Sequence, residues 1–203
     1  MPTTNWTRIV IGLAAVVAIT IVWATSGIVD FTYAKALVTA SGVVVLFLLV
    51  YDRWAWRWPL LRRLTRRPIL HGTWKAELRT SYPARAHETI ECYIAITQTY
   101  SQISVDMLFD RSSSRSMSGD LVLEGGRCVL YYIFHTQADT LHRNSNPPTR
   151  GGAALVVARE PQVHLAGDYW TERDTRGTVR TLGRAAKVYA TFEAARAAAY
   201  HQG

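Results

Sequence analysis

The stretch Gly72-Thr73-Trp74-Lys75-Ala76-Glu77-Leu78-Arg79 decides the fold, because here the hydrophobic pattern of the chain changes to a period of two. Trp74, Ala76 and Leu78 fall on one face and polar residues on the other, which is typical of a half-buried β-strand. Turn signals such as Gly125-Gly126 and Pro147-Pro148 separate further runs of this kind. These runs predict seven more strands, at 88–98, 101–109, 114–123, 127–135, 152–158, 162–172 and 177–182.

Eight short strands with short connections favour an antiparallel meander. Eight strands can close into an up-and-down barrel that side chains nearly fill or that holds one small ligand, and closure leaves no strand edge exposed. A β-sandwich is the main alternative. Residues 190–200 are rich in helix formers and Thr191 is placed as an N-cap. The prediction is a small eight-stranded antiparallel β-barrel with a short C-terminal helix on its rim.

The N-terminal quarter of the chain is apolar enough to lie in a membrane. Residues 9–25 form a run without charge, and residues 33–51 form a second apolar run. Each is long enough to cross most of a hydrocarbon core of roughly 30 Å. The short connection at 26–32 predicts a hairpin of two antiparallel transmembrane helices. A cleaved signal peptide ending near Ala24 is the alternative for the first run.

The positive charge of the chain is concentrated just after the second apolar run. The net charge is +8, and residues 53–67 contribute six arginines and no acid. Three tryptophans, Trp54, Trp56 and Trp58, are interleaved with these arginines. Tryptophan favours the headgroup region and arginine the cytoplasmic side, so the C-terminal domain is predicted to be cytoplasmic and the lipid bilayer to be a partner. The remainder is nearly balanced, which argues against binding a DNA or RNA duplex.

Three regions follow from these patterns. We expect a transmembrane hairpin at 1–52, a basic juxtamembrane linker at 53–70 and a β-barrel sensor domain at 71–203.

The sequence contains few features that would indicate catalysis or metal binding. Cys92 and Cys128 lie in apolar runs with neither CxxC spacing nor neighbouring histidines, so we interpret them as core or surface thiols, with a disulfide as the alternative. The six histidines are scattered singly, and no nucleophile, paired-carboxylate or phosphate-loop motif occurs. We therefore expect a protein that is not an enzyme and that needs no metal or cofactor.

Two strands indicate where a ligand binds. Alternation in the seventh strand places Gly167, Tyr169, Thr171 and Arg173 on one face, which becomes more polar towards its C-terminal end. The fourth strand carries a row of serines, Ser112, Ser114, Ser116 and Ser118. Hydroxyls, an arginine and aromatic rings together suit a ligand that bears phosphates and bases. The alternative for the serine row is a solvated outer face.

Several segments, taken in order after two N-terminal spans, resemble the two-transmembrane, β-strand-rich (S-2TMβ) effector family of bacterial CBASS antiphage systems. They are Gly72-Thr73-Trp74, Ile94-Ala95-Ile96-Thr97-Gln98-Thr99, Ser112-Ser113-Ser114-Arg115-Ser116, Leu130-Tyr131-Tyr132, Gly152-Ala153-Ala154-Leu155 and Leu165-Ala166-Gly167-Asp168-Tyr169-Trp170-Thr171-Glu172-Arg173. The resemblance implies a compact barrel that binds a cyclic dinucleotide made by a partner CD-NTase synthase. It also implies homo-oligomerisation on activation and disruption of the bacterial inner membrane.

The resemblance, with the strand patterns, gives a candidate set of ligand-binding residues: Arg173, Tyr169, Thr171, Ser114, Ser116, Trp74, Gln98 and Tyr132. Two other functions remain open. One is a membrane-tethered, lipocalin-like barrel that binds a hydrophobic metabolite or lipid, and the other is a non-enzymatic membrane adaptor whose barrel is filled by side chains.

Overall fold

The structure, a computed structural model, describes residues 31–61, 67–86, 88–138, 147–158 and 162–201, together with 12, 16, 17 and 19. For residues 31–41 only the backbone is described. The predicted first transmembrane span, 9–25, and the connection that follows it lie almost entirely outside the described residues. The chain divides into two compact units, one of residues 1–69 with Thr99–Gln102, the other of Leu70–Gln98 with Ile103–Gly203.

The first unit contains helix α1, Phe31–Arg53, which covers the predicted second span and is followed by a 3-10 turn at Ala55–Arg57. The Asp52 carboxylate accepts the backbone N–H of Ser101 at 2.8 Å. Trp56 is buried and its ring meets that of Tyr100 edge-on. Among the described residues, no helix combines the length and the apolarity that crossing a membrane requires.

The second unit is a closed barrel in which each strand pairs antiparallel with the next and the last pairs with the first. The predicted eight strands and their up-and-down order are confirmed, and closure excludes the β-sandwich. The strands are β1 Gly72–Thr80, β2 Ile90–Gln98, β3 Ile103–Leu108, β4 Ser112–Glu124, β5 Arg127–Ala138, β6 Thr149–Ala158, β7 His164–Thr171 and β8 Arg176–Ala185.

The inward-facing side chains, at every second residue of the strands, fill the barrel towards the end where β1 begins. Trp74, Ala76 and Leu78 of β1 point inward as predicted and belong to one continuous core. Gly167 allows the strands to close, because a Cβ at this position would lie 2.0 Å from the carbonyl oxygen of Ala154. The inward faces therefore supply the apolar burial that stabilises the closed sheet.

One end of the barrel is closed where the chain enters it. The backbone N–H of Leu70 donates to the side-chain oxygen of Gln98 at 2.7 Å, and the Trp74 indole N–H donates to the Leu70 carbonyl at 2.9 Å. All three residues are buried. A buried polar group is costly unless it has a partner, so these bonds let the segment pass into the core.

The predicted row of four serines is wrong beyond Ser116. A β-bulge between Ser116 and Ser118 shifts the register of β4 against β5, and Ser118 is exposed. At the bulge the Ser116 hydroxyl accepts the backbone N–H of Val105 at 2.8 Å. An extra residue reverses the alternation on one strand, which period-two counting does not anticipate.

The C-terminal helix, α2 Phe192–Arg196, is shorter than predicted, but its N-cap is confirmed. The Thr191 hydroxyl accepts the backbone N–H of Ala194. The prediction that the helix lies on the barrel rim is wrong, because Ala195 packs with Tyr93 and Ala95 on the outer face of β2. The helix covers apolar side chains on that outer face.

Both cysteines are thiols rather than a disulfide. Cys92 is buried in the core, and Cys128 is partly exposed. The interpretation as core and surface thiols is confirmed.

Candidate functional site

A cavity of about 950 Å³ opens at the end of the barrel opposite Gln98 and Trp74. Pockets of roughly 300–1,000 Å³ are typical of small-molecule sites. Residues from seven strands, β1 to β7, and from the connections at that end form its surface. They include Leu78, Thr80, Tyr82, Arg85, Ile90, Met107, Phe109, Asp110, Arg111, Ser112, Ser114, Phe134, Thr136, Thr149, Tyr169, Thr171, Arg173 and Asp174.

Three buried hydroxyls near the open ends of β4, β6 and β7 face the cavity and have no hydrogen-bond partner among the described residues: those of Ser114, Thr149 and Thr171. Ser114 is 3% exposed and Thr149 8% exposed. Buried side-chain polar atoms are nearly always hydrogen-bonded, and leaving one unsatisfied costs about 1–3 kcal/mol. Three such groups facing one open cavity can be satisfied by water or by a polar ligand that replaces it.

The walls of the cavity are aromatic and apolar. Phe134 of β5 and Tyr169 of β7 face it together with Met107 of β3. The Tyr169 ring lies against Gly177 of β8, where an added Cβ would be 2.5 Å from the ring, and burial raises the pKa of the Tyr169 hydroxyl. Rings held in this way provide flat surfaces on which a base can stack.

The rim carries the charges. Arg85, Arg111 and Arg173 line the mouth. Arg85 pairs with Glu88 at 3.7 Å and Arg111 with Asp110 at 3.5 Å.

Arg173 differs from the other two rim arginines. It donates to the backbone carbonyls of Pro147 and Pro148 and forms no ion pair within the described part of the chain. A guanidinium has five N–H donors, so it can hold these carbonyls and still bind an anion. Among the described residues at the mouth, Arg173 is therefore a cation whose charge is not already balanced by a carboxylate.

Four of the eight predicted site residues meet at this cavity: Ser114, Tyr169, Thr171 and Arg173. The sequence placed Arg173 on the seventh strand, but β7 ends at Thr171 and Arg173 lies in the following turn. Their contact with a ligand stays a prediction, and the structure places their side chains where such contact is possible.

The other four predicted residues lie away from the cavity. Trp74 and Gln98 form the closed end, and the hydroxyl of Ser116 bonds within the β4 bulge. Tyr132 is buried behind the cavity surface, where its hydroxyl lies 3.4 Å from the sulfur of Met107, and burial raises its pKa. Tyr132 therefore supports a residue of the cavity surface without lining it.

Sequence reasoning missed Thr149, which is buried although it directly follows Pro147-Pro148. The sixth strand was predicted to begin at 152, but β6 begins at Thr149. Extending the alternation of Ala153 and Leu155 backwards through Gly151 would have placed Thr149 on the inward face. Phe134 and Met107 were missed as well, because inward aromatic and apolar residues look the same in a filled barrel and in a hollow one.

Within the described residues, no group of three or more His, Cys, Asp or Glu side chains gathers to form a metal site. Nor is any charged side chain of the described residues fully buried. The cavity offers hydroxyls, rings and a rim cation for contact with a ligand.

A closed eight-stranded barrel with an open cavity that carries buried hydroxyls and has an arginine at its rim defines a receptor for a small polar ligand. The family model described as "Cap15, cyclic dinucleotide receptor domain" matches residues 65–182, which is more than half of the chain. The chain belongs to this family, and membership makes it a CBASS effector of the cyclic dinucleotide receptor class.

A relative supports the assignment. "CD-NTase-associated protein 15" from Staphylococcus schleiferi is 27% identical over 177 residues, which cover 87% of this chain and 91% of the relative. The similarity therefore extends beyond the barrel to most of the N-terminal region.

Proposed function

We propose that the barrel cavity binds a cyclic dinucleotide released by a CD-NTase synthase during phage infection, and that binding makes the protein oligomerise and disrupt the bacterial inner membrane. In this proposal the two predicted N-terminal spans anchor the protein and the barrel faces the cytoplasm. The protein acts as a receptor and effector without catalysis.

The observation that carries the proposal is the set of three buried, unpartnered hydroxyls in a cavity whose mouth holds Arg173. A cyclic dinucleotide combines polar base edges, flat rings and two phosphates. Hydroxyls can bond to base edges, Tyr169 can stack on a ring, and a guanidinium can bind phosphate through parallel hydrogen bonds. Each feature of the cavity thus has a matching group on the ligand.

The same hydroxyls disfavour the alternative of a hydrophobic metabolite or lipid. An apolar ligand would displace water from Ser114, Thr149 and Thr171 without replacing its hydrogen bonds, which is costly for each hydroxyl. The adaptor alternative requires a barrel filled by its own side chains. A barrel filled by its own side chains would not have a cavity of about 950 Å³.

A ligand can drive assembly only if it binds the assembled form more tightly than the separate chains. A shift from mostly separate to mostly assembled chains requires that form to bind the ligand roughly 10⁴-fold more tightly. The apolar runs at 9–25 and 33–51 and the basic, tryptophan-rich segment after them are the sequence features that support a membrane as the place of action.

Calorimetry tests the binding step. Full-length protein in detergent is titrated with a panel of cyclic dinucleotides, and we expect at least one to bind and Arg173→Ala to weaken its binding about 10- to 100-fold, as loss of a charge-assisted hydrogen bond would. Arg176→Ala is the matched control, because Arg176 pairs with Asp174 at 3.2 Å and lies outside the cavity. Absence of binding to every member would refute the proposal.

Dye uptake tests the membrane step. Cells that express the protein with its synthase should take up an impermeant dye and stop growing, and cells carrying Arg173→Ala should not. If cells with the wild-type protein grow normally and keep intact membranes although the ligand is produced, the protein is a receptor that does not disrupt the membrane.

A further inference from the structure

We propose that residues 81–86, in the connection from β1 to β2, form a strap that holds a bound ligand in the cavity. In this proposal Tyr82 packs on a ring of the ligand and Arg85 binds one of its phosphates. The inference rests on the proposed function and adds two contacts to the predicted site residues. Its consequence is that the strap sets how slowly the ligand leaves.

The strap lies at the mouth of the cavity. Four of its six residues line the cavity: Ser81, Tyr82, Pro83 and Arg85. The backbone N–H of Ser81 donates to the Arg176 carbonyl at 2.7 Å, and the Ser81 hydroxyl accepts the Arg176 backbone N–H at 2.9 Å. Arg176 begins β8, three residues after Arg173. The base of the strap is therefore fixed beside the turn that carries the rim cation.

Beyond this base the strap buries no side chain. All six residues are exposed, and Tyr82 is 53% exposed although it lines the cavity. The 3-10 turn at Pro83–Arg85 is closed locally, by the backbone N–H of Arg85 to the Tyr82 carbonyl at 2.8 Å. A segment with few buried contacts can shift at low cost in free energy. The Tyr82 ring gains apolar burial when a ligand covers it.

Thr80 joins the strap to the cavity wall. Its hydroxyl accepts the backbone N–H of Tyr82 at 3.2 Å and also hydrogen-bonds to the hydroxyl of Tyr169. Both tyrosines line the same cavity, one from the strap and one from β7. Aromatic side chains provide surfaces on which bases stack. A cyclic dinucleotide has two bases, so the cavity offers it a second ring besides Tyr169.

Arg85 can exchange its partner for a phosphate. Its guanidinium lies 3.7 Å from the Glu88 carboxylate, which is longer than a hydrogen bond, and both side chains are mostly exposed. Such an ion pair contributes little to stability. A phosphate can instead accept two parallel hydrogen bonds from a guanidinium. Removal of the Glu88 charge should therefore favour the ligand-bound arrangement of Arg85.

Dissociation kinetics test the role of Tyr82. Full-length protein in detergent is screened against cyclic di-AMP, cyclic di-GMP and cyclic di-UMP, and the member that binds most tightly is followed by surface plasmon resonance. We expect Tyr82→Ala to raise its dissociation rate about tenfold, within the usual range for loss of one stacked base, and Tyr82→Phe to stay within about threefold of the wild type. Tyr131→Ala is the control, because Tyr131 bonds to Glu124 outside the cavity.

A double-mutant cycle tests the role of Arg85. Arg85→Ala should weaken the affinity for the same cyclic dinucleotide about tenfold, and Glu88→Gln should tighten it about threefold. The gain from Glu88→Gln should disappear in the Arg85→Ala protein. If the gain persists there, the Glu88 carboxylate repels the ligand directly, and the proposed exchange of partners by Arg85 is wrong.

Hydrogen exchange tests the strap without any mutation. The cyclic dinucleotide should slow amide exchange in residues 81–86 at least fivefold and leave the exposed turn at 124–127, at the other end of the barrel, unchanged. If a cyclic dinucleotide binds but neither strap exchange nor the Tyr82→Ala dissociation rate changes, the strap inference fails and the proposed function stands. If the wild type binds no member of the panel, the proposed function fails and the strap inference fails with it.

Discussion

The side-chain oxygen of Gln98 accepts the backbone N–H of Leu70 at 2.7 Å, so a donor buried at the closed end of the barrel has its partner within the protein. At the open end, the hydroxyls of Ser114, Thr149 and Thr171 have none among the described residues. The two ends of the barrel thus differ in whether their buried polar groups have partners within the protein. Polar groups at the closed end stabilise the fold, and polar groups at the open end are left for a ligand.

Gln98→Met tests the structural role of the closed end. Methionine fills a similar volume but cannot accept the Leu70 N–H, which leaves a buried donor unsatisfied at a cost of about 1–3 kcal/mol. We expect the free energy of unfolding, measured by urea denaturation, to fall by that amount and the affinity for the ligand to stay within twofold.

Gln102→Met is the matched control for this variant, because the Gln102 side chain is exposed in the β2–β3 turn. It should leave the free energy of unfolding within about 0.5 kcal/mol of the wild type. A Gln98→Met protein of normal stability with strongly weakened ligand binding would mean that Gln98 contacts the ligand, as the sequence predicted.

Strand number, order and inward faces could be predicted from the sequence because alternation is a local property. Trp74, Ala76 and Leu78 show which face is buried without any knowledge of their partners. The depth of the cavity could not be predicted, since it depends on how far opposite strands reach across the barrel. Gln98 and Thr149 are both polar and inward, and only the three-dimensional arrangement shows that the first is satisfied by Leu70 and the second is not.

Gly167→Ala tests how tightly the barrel closes. The added methyl group would lie 2.0 Å from the Ala154 carbonyl oxygen, and backbone cannot move aside as a flexible side chain does. We expect a loss of at least 1–3 kcal/mol in the free energy of unfolding, the usual cost of overpacking. Thermal denaturation followed by circular dichroism measures the change.

Gly183→Ala provides the comparison. Its nearest neighbour would be the Cβ of Tyr200 at 3.3 Å, on a terminal segment outside the strands, so a small shift can accommodate the methyl group. The Gly183 variant should be clearly the more stable of the two. Equal stability of the two variants would show that the close approach of Gly167 to the Ala154 carbonyl oxygen does not restrict the packing of β6 against β7.

The Cys92 thiol makes stability depend on pH in the alkaline range. Burial raises its pKa to about 12 from an ordinary value of 9.0, with a smaller contribution from the negative charge of Glu91. Between these two values the unfolded chain has lost a proton that the native protein keeps. Stability therefore falls as pH rises from about 9 to 12, by up to about 1.4 kcal/mol per pH unit, and this thiol has no effect below that window.

Urea denaturation of the wild type and of Cys92→Ala at several pH values between 8 and 11 measures this effect. The variant is less stable at pH 8 because a cavity replaces the sulfur, but its stability should decline less steeply above pH 9. All other titrating groups are common to the two proteins and cancel in the difference. A difference that stays constant with pH would contradict the prediction.

Tyr169 tests whether the cavity wall is a stacking surface. Its ring is fixed against Gly177 and faces the cavity beside Thr171 and Arg173. Tyr169→Phe keeps the ring and should bind the ligand within about threefold of the wild type. Tyr169→Leu removes it and should weaken binding by roughly 1–3 kcal/mol, about 5- to 150-fold, the usual value of stacking one base. Tyr131→Leu is the control, because the Tyr131 hydroxyl bonds to Glu124 on the exposed face of the β4–β5 hairpin. If the phenylalanine and leucine variants lose affinity equally while both remain folded, the hydroxyl of Tyr169 rather than its ring makes the contact.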